Sequence, residues 1–399
     1  MKKKVLIYPC GTEVGMEMWE SLKYSKHFEV FGANMIDCAG FRLYDKQRRA
    51  ILEKLEDIGL LCELWEIDIV LPAHDQVQYD LCEIFSDDKR FVLPELSTLG
   101  QTILKGNTYT CFEEIAPKKI DTFPAFVKPE RGQGSRGARV CHNFEELYAI
   151  ERDFGGDMGV VQTEILEGPE YTVDCFTDRH GELRYCQPRE RMETRGGISI
   201  NTKLVPPLSL VFDMAAAITG CLKMRGAWFF QIKGGKLLEI APRIAGSSGI
   251  NRAYGVNLTE LTLWDFLGHD VALPVVEPRG VQAMRRLDTK IIGVEFGSVY
   301  VDIDDTLFVD GKPNPDMVAM LYKWYNDGKN VHLITRGQAR WKMFGLDLPC
   351  SHVKKGEPKS KYINPDGAIF VDDSFAERNE VANTLGIPVF GPESAIMLA

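Results

Sequence analysis

Three short apolar runs near the C-terminal end each stop at a polar residue: Ser298–Val301 before Asp302, Val331–Ile334 before Thr335, and Ala368–Val371 before Asp372-Asp373. From about residue 296 strand-like and helical stretches alternate, so the three runs read as strands of one open parallel sheet. Ligands of such sheets collect at the carboxyl ends of the strands, and these polar residues are expected to converge on one crevice. In Asp302-Ile303-Asp304-Asp305-Thr306, carboxylates two apart leave a strand end on one side, one placed as a nucleophile and the other as a proton donor to a leaving oxygen. Like charges packed so closely repel. A Mg²⁺ bound there with Asp372 or Asp373 would hold them together and neutralise a phosphoryl group.

The pattern resembles the haloacid dehalogenase-like (HAD) phosphatases. Their D-x-D-x-T motif matches Asp302, Asp304 and Thr306, their second motif matches Thr335, and their acidic pair matches Asp372-Asp373. The lysine motif falls among Lys354, Lys355 and Lys359; Lys359 is preferred because Pro358-Lys359-Ser360-Lys361 leads directly into the last apolar run. The resemblance implies that Asp302 forms an aspartyl-phosphate and Asp304 protonates the leaving group, with Thr335 and Lys359 also catalytic. It implies Mg²⁺ held by Asp302, Asp304, Asp372 and Asp373. Only 33 residues separate Asp302 from Thr335 and 37 separate Thr335 from Asp372, which leaves no room for a large cap domain. A capless HAD-like Rossmannoid domain is expected, its site open or covered by another part of the chain.

The chain has 399 residues, enough for two or three domains. Its 47 Lys+Arg against 57 Asp+Glu give a net charge of −10, which opposes non-specific attraction to nucleic acid or anionic membrane. Neither partner is expected, and an anionic ligand needs a local basic patch. The lysines at 2–4 precede an apolar run too short for a signal peptide, and no stretch approaches the roughly 20 apolar residues of a membrane span. Ten cysteines without a C-x-x-C pair or zinc spacing read as reduced thiols in a soluble, cytoplasmic protein.

Up to about residue 95, strand-like runs (Val5–Tyr8, Phe28–Phe31, Ile67–Leu71) alternate with helical ones expected over Val14–Tyr24 and Lys46–Leu61. From about 100 to 290 the pattern becomes α+β, with hairpin strands at Glu170–Thr177, Glu182–Gln187 and Trp228–Glu239. A Pro-rich passage, Pro274 to Pro278, and Gly280–Lys290 precede the last unit. The expected domains are 1–99, 100–295 and 296–399.

Gly132-Gln133-Gly134-Ser135-Arg136-Gly137 satisfies G-x-G-x-x-G. A dinucleotide fingerprint would open a helix there, yet Ala138–Cys141 reads as a strand and the helix begins near Asn143, with Glu146 as its capping partner. The loop lacks the Gly-Lys-Ser/Thr of a Walker A motif, and the chain lacks the H-R-D of a protein kinase. What remains is a glycine loop between two strands whose amides can close over a triphosphate. Between Lys105 and Arg139, seven basic residues (Lys105, Lys118, Lys119, Lys128, Arg131, Arg136, Arg139) face four acidic ones, which is the local basic patch.

Here the sequence resembles the ATP-grasp superfamily, particularly carboxylate–amine ligases related to the carbamoyl phosphate synthase large subunit. Lys105-Gly-Asn-Thr108 matches the first lysine motif, and Lys128-Pro129 with the following loop matches the second. Glu164–Asp174 resembles the adenine hinge. The resemblance implies that Lys105, Lys128, Gly132, Gly134, Ser135 and Gly137 hold the phosphates of ATP. Glu164 with the backbone of Ile165 and Leu166 would take adenine, and Glu170 the ribose. In the family's E-x-N-P-R hairpin motif, Gln231, Glu239 and Arg243 carry over, while Ala241 replaces the asparagine. Gln231 and Glu239 are the implied Mg²⁺ ligands; either a second ion is held differently, through Asn251 or water, or the site is weakened. Sharing one face requires a three-residue turn or a bulge between the two, because a two-residue Gly234-Gly235 turn pairs Gln231 with Leu238.

Residues 1–99 look like the small Rossmann-like domain that precedes ATP-grasp domains, with Asn34 and Pro72-Ala73-His74-Asp75 placed to line an acceptor pocket. Arg189, Arg191, Arg195, Ser247 and Ser248 are candidates for gripping a carboxylate or phosphate. Together the resemblances imply a bifunctional enzyme: an ATP- and Mg²⁺-dependent carboxylate–amine ligase, in which Arg243 stabilises an acyl phosphate, fused to a phosphatase. Its expected partners are a small-molecule carboxylate, an amine and a phosphoester, and the reading admits a homodimer. Two alternatives stay open: an ATP-grasp small-molecule kinase with a fused phosphatase, and a nucleotide-sensing module with a degenerate metal site.

Overall fold

The computed structural model describes residues 2–398 except 133, 207, 274–280, 285–290, 292 and 338–344. The Pro274–Pro278 passage and most of Gly280–Lys290 lie outside the described residues. The chain forms two compact units, Met1–Arg286 and Leu287–Ala399.

The first unit begins with β1 (Lys3–Tyr8), α1 (Glu13–Leu22), β2 (Phe28–Asn34), β3 (Arg49–Ile51), α2 (Asp57–Trp65), β4 (Ile69–Pro72) and α3 (Asp75–Phe85). Its four strands form a parallel sheet in the order β3-β2-β1-β4. The turn from β1 into α1 is set by sequence: Thr12 Oγ1 accepts the Gly15 amide at 2.9 Å, a cap of about 1 kcal/mol. Gly15 is required because a Cβ there would come within 2.5 Å of the Pro9 carbonyl.

The single helix expected over Lys46–Leu61 is not formed. Arg49–Ile51 instead adds a parallel strand beside Gly32–Asn34, and the helix starts at Asp57. Pairing with an exposed sheet edge and burial of Leu52 outweigh the local helical preference of this segment.

The chain continues through α4 (Leu96–Thr102) and α5 (Lys105–Cys111) into a small antiparallel sheet, ordered β6-β5-β7, of β5 (Ala125–Pro129), β6 (Arg139–Cys141) and β7 (Val160–Thr163). Between β6 and β7 lies α6 (Phe144–Ile150). Asn143 caps it by accepting the Glu146 amide at 2.9 Å while Glu146 accepts the His142 amide at 3.0 Å, the expected reciprocal pair.

The larger sheet contains β8 (Glu170–Thr177), β9 (Leu183–Arg195), β10 (Ile198–Leu204), β11 (Gly226–Lys233), β12 (Lys236–Ala241) and β13 (Gln282–Met284), in the order β12-β11-β8-β9-β10-β13. The strand expected over Glu182–Gln187 runs on to Arg195. One apolar face buries Val173, Cys175, Trp228 and Phe230 beneath α7 (Ser209–Cys221). Near the end of β11, Ala227 joins α1, α8 (Leu258–Phe266) and the first sheet in another core. The polar face is thereby left to form the floor of a cleft.

The second unit holds β14 (Ser298–Asp302), the short hairpin β15 (Phe308–Val309) and β16 (Lys312–Pro313), α9 (Pro315–Asn326), β17 (Asn330–Thr335), β18 (Cys350–His352), β19 (Ala368–Val371), α10 (Phe375–Leu385), β20 (Val389–Phe390) and α11 (Pro392–Ala395). Five of these strands form a parallel sheet in the order β18-β17-β14-β19-β20. Among the described residues no helix is long and apolar enough to cross a membrane.

Candidate functional site

Two cavities of about 240 and 480 Å³ open on the polar face of the larger sheet in the first unit. Lys105, Arg131, Gly132, Gly134, Gln231 and Glu239 line both, so these residues mark a shared mouth.

The smaller cavity gathers the residues expected around a nucleotide. Lys128, on β5, is buried and donates to the Leu238 carbonyl at 3.3 Å, with its ammonium 5.0 Å from the Tyr109 ring centre. Burial pushes its pKa down to about 8. Lys105, in the first turn of α5, donates to the carbonyls of Glu130 (3.3 Å) and Gly132 (3.2 Å), and burial lowers its pKa too. Glu164 is fixed by the Lys118 amide, which donates to its Oε1 at 2.9 Å, and Ile165 and Leu166 line the same wall. Glu170 pairs with Arg191 Nε at 3.0 Å.

The glycine loop joins β5 to β6 as expected. Gly132, Gly134, Ser135 and Gly137 have φ of +129°, +66°, +54° and +76°, a run of left-handed backbone that glycine accommodates and that turns peptide groups toward the cavity. Its tip meets the β9–β10 turn main chain to main chain: a Cβ on Gly134 would lie 2.7 Å from the Gly196 carbonyl, and one on Gly197 would overlap the backbone of Gly134. Arg191 Nη2 donates to the Gly197 carbonyl at 2.6 Å and so holds that turn in place.

The β11–β12 hairpin solves its register problem with a bulge. Lys233 pairs with Lys236 across the two-residue turn, yet Gln231 pairs with Glu239 because the ladder shifts after Gln231 and Leu238 is the extra residue. Gln231 and Glu239 therefore share a face at the mouth. Their oxygens are hard donors of the type Mg²⁺ takes, and Lys105 lies opposite. The Ala241 methyl supplies no ligand. Asn251 does not replace it: its Oδ1 accepts the Tyr185 hydroxyl at 2.8 Å, and its Nδ2 donates to Asp174 (2.9 Å) and the Ser248 carbonyl (2.8 Å).

The larger cavity is lined by the loops after β1 and β4, including Thr12, Glu13, His74 and Asp75, together with Arg189, Arg191, Arg243 and Ser247. Asn34 is not among its lining residues; it bonds the Ile36 carbonyl and Cys38 Sγ. His74 caps α3 by accepting the Gln76 amide at 3.2 Å, a structural duty, and burial lowers its pKa. Arg243 is held by both Asp75 oxygens, at 2.6 and 2.7 Å. Arg189 is buried against Asp174 at 2.7 Å and reaches Ser247 Oγ at 2.9 Å. Arg131 and Tyr109 received no individual role from the sequence; Arg131's place in the basic patch was the available signal.

In the second unit Asp302 and Thr335 end adjacent strands and Asp372-Asp373 follows β19, so the expected convergence occurs. Carboxylate oxygens of Asp302, Asp372 and Asp373 lie within 4.8 Å of one another. Lys359 Nζ donates to Asp302 (2.5 Å) and Asp372 (2.6 Å), which selects it over Lys354 and Lys355 as the lysine in this cluster. Burial, offset in part by Lys359, raises the Asp302 pKa to about 7. Asp304, expected among the metal ligands, stands apart from this trio. Its Oδ2 is engaged instead by the Thr335 hydroxyl, which donates to it at 3.0 Å. Thr306 Oγ1 accepts the Asp373 amide at 3.0 Å, and Arg378 Nη1 donates to the carbonyls of Asp372 (2.5 Å) and Asp373 (2.7 Å), fixing the acidic loop. Three close carboxylates, with Asp302 and Asp372 pushed up by burial, suit a hard divalent cation.

A lysine pair and a glycine loop facing an antiparallel sheet define the ATP-grasp fold. Residues 158–289 match the family model described as ATP-grasp in the biosynthetic pathway with Ter operon. The biotin carboxylase domain of 2-oxoglutarate carboxylase from Hydrogenobacter thermophilus, solved with MgADP and bicarbonate, is similar at 15% identity and a TM-score of 0.54, covering 69% of this chain and 71% of that one. N5-carboxyaminoimidazole synthetase from Staphylococcus aureus, complexed with ADP, is similar at 16% identity and a TM-score of 0.55 over 72% and 83% of the two chains. L-amino acid ligase from Bacillus licheniformis follows at 16% identity and a TM-score of 0.51 over 67% and 74%. A search of the curated proteins found no match.

Proposed function

We propose that the chain is a bifunctional enzyme: an ATP- and Mg²⁺-dependent carboxylate–amine ligase, with residues 1–99 and 100–295 forming its substrate and nucleotide regions, and a capless HAD-like phosphatase at 296–399. The observation that carries the ligase reading is the shared mouth, where Lys105 and the Gln231/Glu239 pair meet between the smaller cavity and the larger one. Similar structures named as a ligase and a synthetase support it. Lys105, Lys128 and the glycine loop hold the triphosphate, Glu164–Leu166 take adenine, and Glu170 takes the ribose. Gln231 and Glu239 would hold Mg²⁺, which would supply neutralising charge to the transferring phosphoryl group. An acceptor carboxylate in the larger cavity attacks the γ-phosphorus, ADP leaves, and an amine displaces phosphate from the acyl phosphate.

In the phosphatase, Asp302 attacks the phosphorus of a phosphoester and Asp304, oriented by Thr335, protonates the leaving oxygen. Asp302, Asp372 and Asp373 would hold the Mg²⁺, which neutralises the phosphoryl group, and Lys359 keeps Asp302 and Asp372 in place. Incubation with MgATP and pools of acids and amines, read by mass spectrometry, tests the ligase: an amide with free phosphate supports it, and a stable phosphorylated acid points to a kinase. Loss of phosphoester turnover in Asp302→Asn tests the phosphatase.

A further inference from the structure

Five arginine and lysine side chains line the larger cavity: Lys105, Arg131, Arg189, Arg191 and Arg243. Three are already neutralised by carboxylates, Arg189 by Asp174 at 2.7 Å, Arg191 by Glu170 at 3.0 Å and Arg243 by Asp75 at 2.6 Å. Among the described residues the other two, Lys105 and Arg131, have no carboxylate within ion-pair distance. Both stand at the mouth shared with the nucleotide cavity, so the cations left outside ion pairs face the place where a phosphoryl group would cross, with the Glu239 carboxylate on the same rim.

Arg131 is the more unusual of the two. Its Nη1 donates to the Gln76 side chain at 3.3 Å, and its guanidinium lies 5.6 Å from the Tyr79 ring centre. Its Nε is buried without a hydrogen-bond partner. A buried donor left unpaired costs about 1–3 kcal/mol, which an arriving anion would recover. Gln76 and Tyr79 belong to α3 in the first sheet's layer, whereas Arg131 follows β5, so the side chain spans the cleft with its fork oriented beforehand.

Resting on the ligase reading, we infer that Arg131, in place of Arg243, grips the reacting oxyanion: the acceptor carboxylate, then the transferring phosphoryl group and the acyl phosphate. A planar fork suits both carboxylate and phosphate. Arg243, clamped by Asp75, shapes the cavity wall instead. Because the remaining cations are paired, the acceptor class favoured carries a single carboxylate.

Trapping of MgADP with aluminium fluoride, a mimic of the transferring phosphoryl group, tests the role of Arg131 without knowledge of the acceptor. The measured quantity is the release rate of a fluorescent ADP from the full-length protein, with and without aluminium fluoride. Aluminium fluoride is expected to slow release from the wild-type protein. Arg131→Met should abolish about 100-fold of that slowing, measured against the variant's own release of MgADP without aluminium fluoride; Arg131→Lys should recover part. Absence of trapping in the wild type, or trapping unchanged in Arg131→Met, overturns the inference. Failure of the wild type to bind MgADP overturns the ligase reading, and this inference with it.

Discussion

The Lys128 ammonium and the Leu238 carbonyl meet at 3.3 Å because Leu238 is the bulge residue of its hairpin. One irregularity thus does two things: it sets Glu239 opposite Gln231, and it aims a main-chain carbonyl, also accepting the Tyr109 hydroxyl at 2.9 Å, at the buried lysine. Lys128 has no ion-pair carboxylate among the described residues, so its charge is poised for an anion. Lys128→Met is expected to weaken MgADP binding by about 1.5–3 kcal/mol, the value of a hydrogen bond to a charged group, without lowering the melting temperature. Calorimetry and thermal denaturation check the two halves.

The depressed pKa gives this site a pH signature. Free Lys128 loses its proton near pH 8, well below an ordinary lysine, and bound phosphates raise that pKa again. MgADP affinity should be flat below about pH 7 and fall as pH rises through 8, with proton uptake on binding near pH 8. In the nucleotide-free protein the unfolded state holds more protons between pH 8 and the ordinary lysine pKa, so this residue's contribution to stability rises with pH there. Lys128→Arg keeps its charge and should remove the binding transition.

Much of this architecture was legible because local chemistry dictates it. The Asn143–Glu146 capping pair and the strand after the glycine loop each depend on residues a few positions apart. What was not legible depends on distant partners. Arg49–Ile51 became a strand because a sheet edge at Gly32–Asn34 awaited it. The direction of the Asp304 carboxylate follows from Thr335, and the commitment of Asn251 from Tyr185 and Asp174, all far off in sequence.

Asp75 and Arg243 offer a stability test across the cleft. Asp75→Ala leaves a buried guanidinium without its two-pronged partner and should cost about 2–3 kcal/mol, below the range for a fully buried pair because Asp75 keeps some solvent contact. The double variant Asp75→Ala/Arg243→Met should recover part of that loss. Denaturant melts of both, read for coupling, decide the matter.

In the second unit, Mg²⁺ at 100 times its dissociation constant should stabilise the fold by about 2.7 kcal/mol. Asp372→Asn and Asp373→Asn should reduce that gain. Thermal melts with Mg²⁺ against chelator measure it, and an equal shift in the variants would place the ion elsewhere.

The meeting of Gly134 and Gly197 carries a consequence for tolerance to change. Since only main chain touches main chain there, no side chain can be trimmed or enlarged to adjust the fit. A single methyl group at either position acts as a doorstop between loop and turn. Arg191 ties that turn to Glu170, so the wedge would be transmitted from the glycine loop to the Glu170 side of the cavity, and one added methyl would alter the fit of the whole pocket.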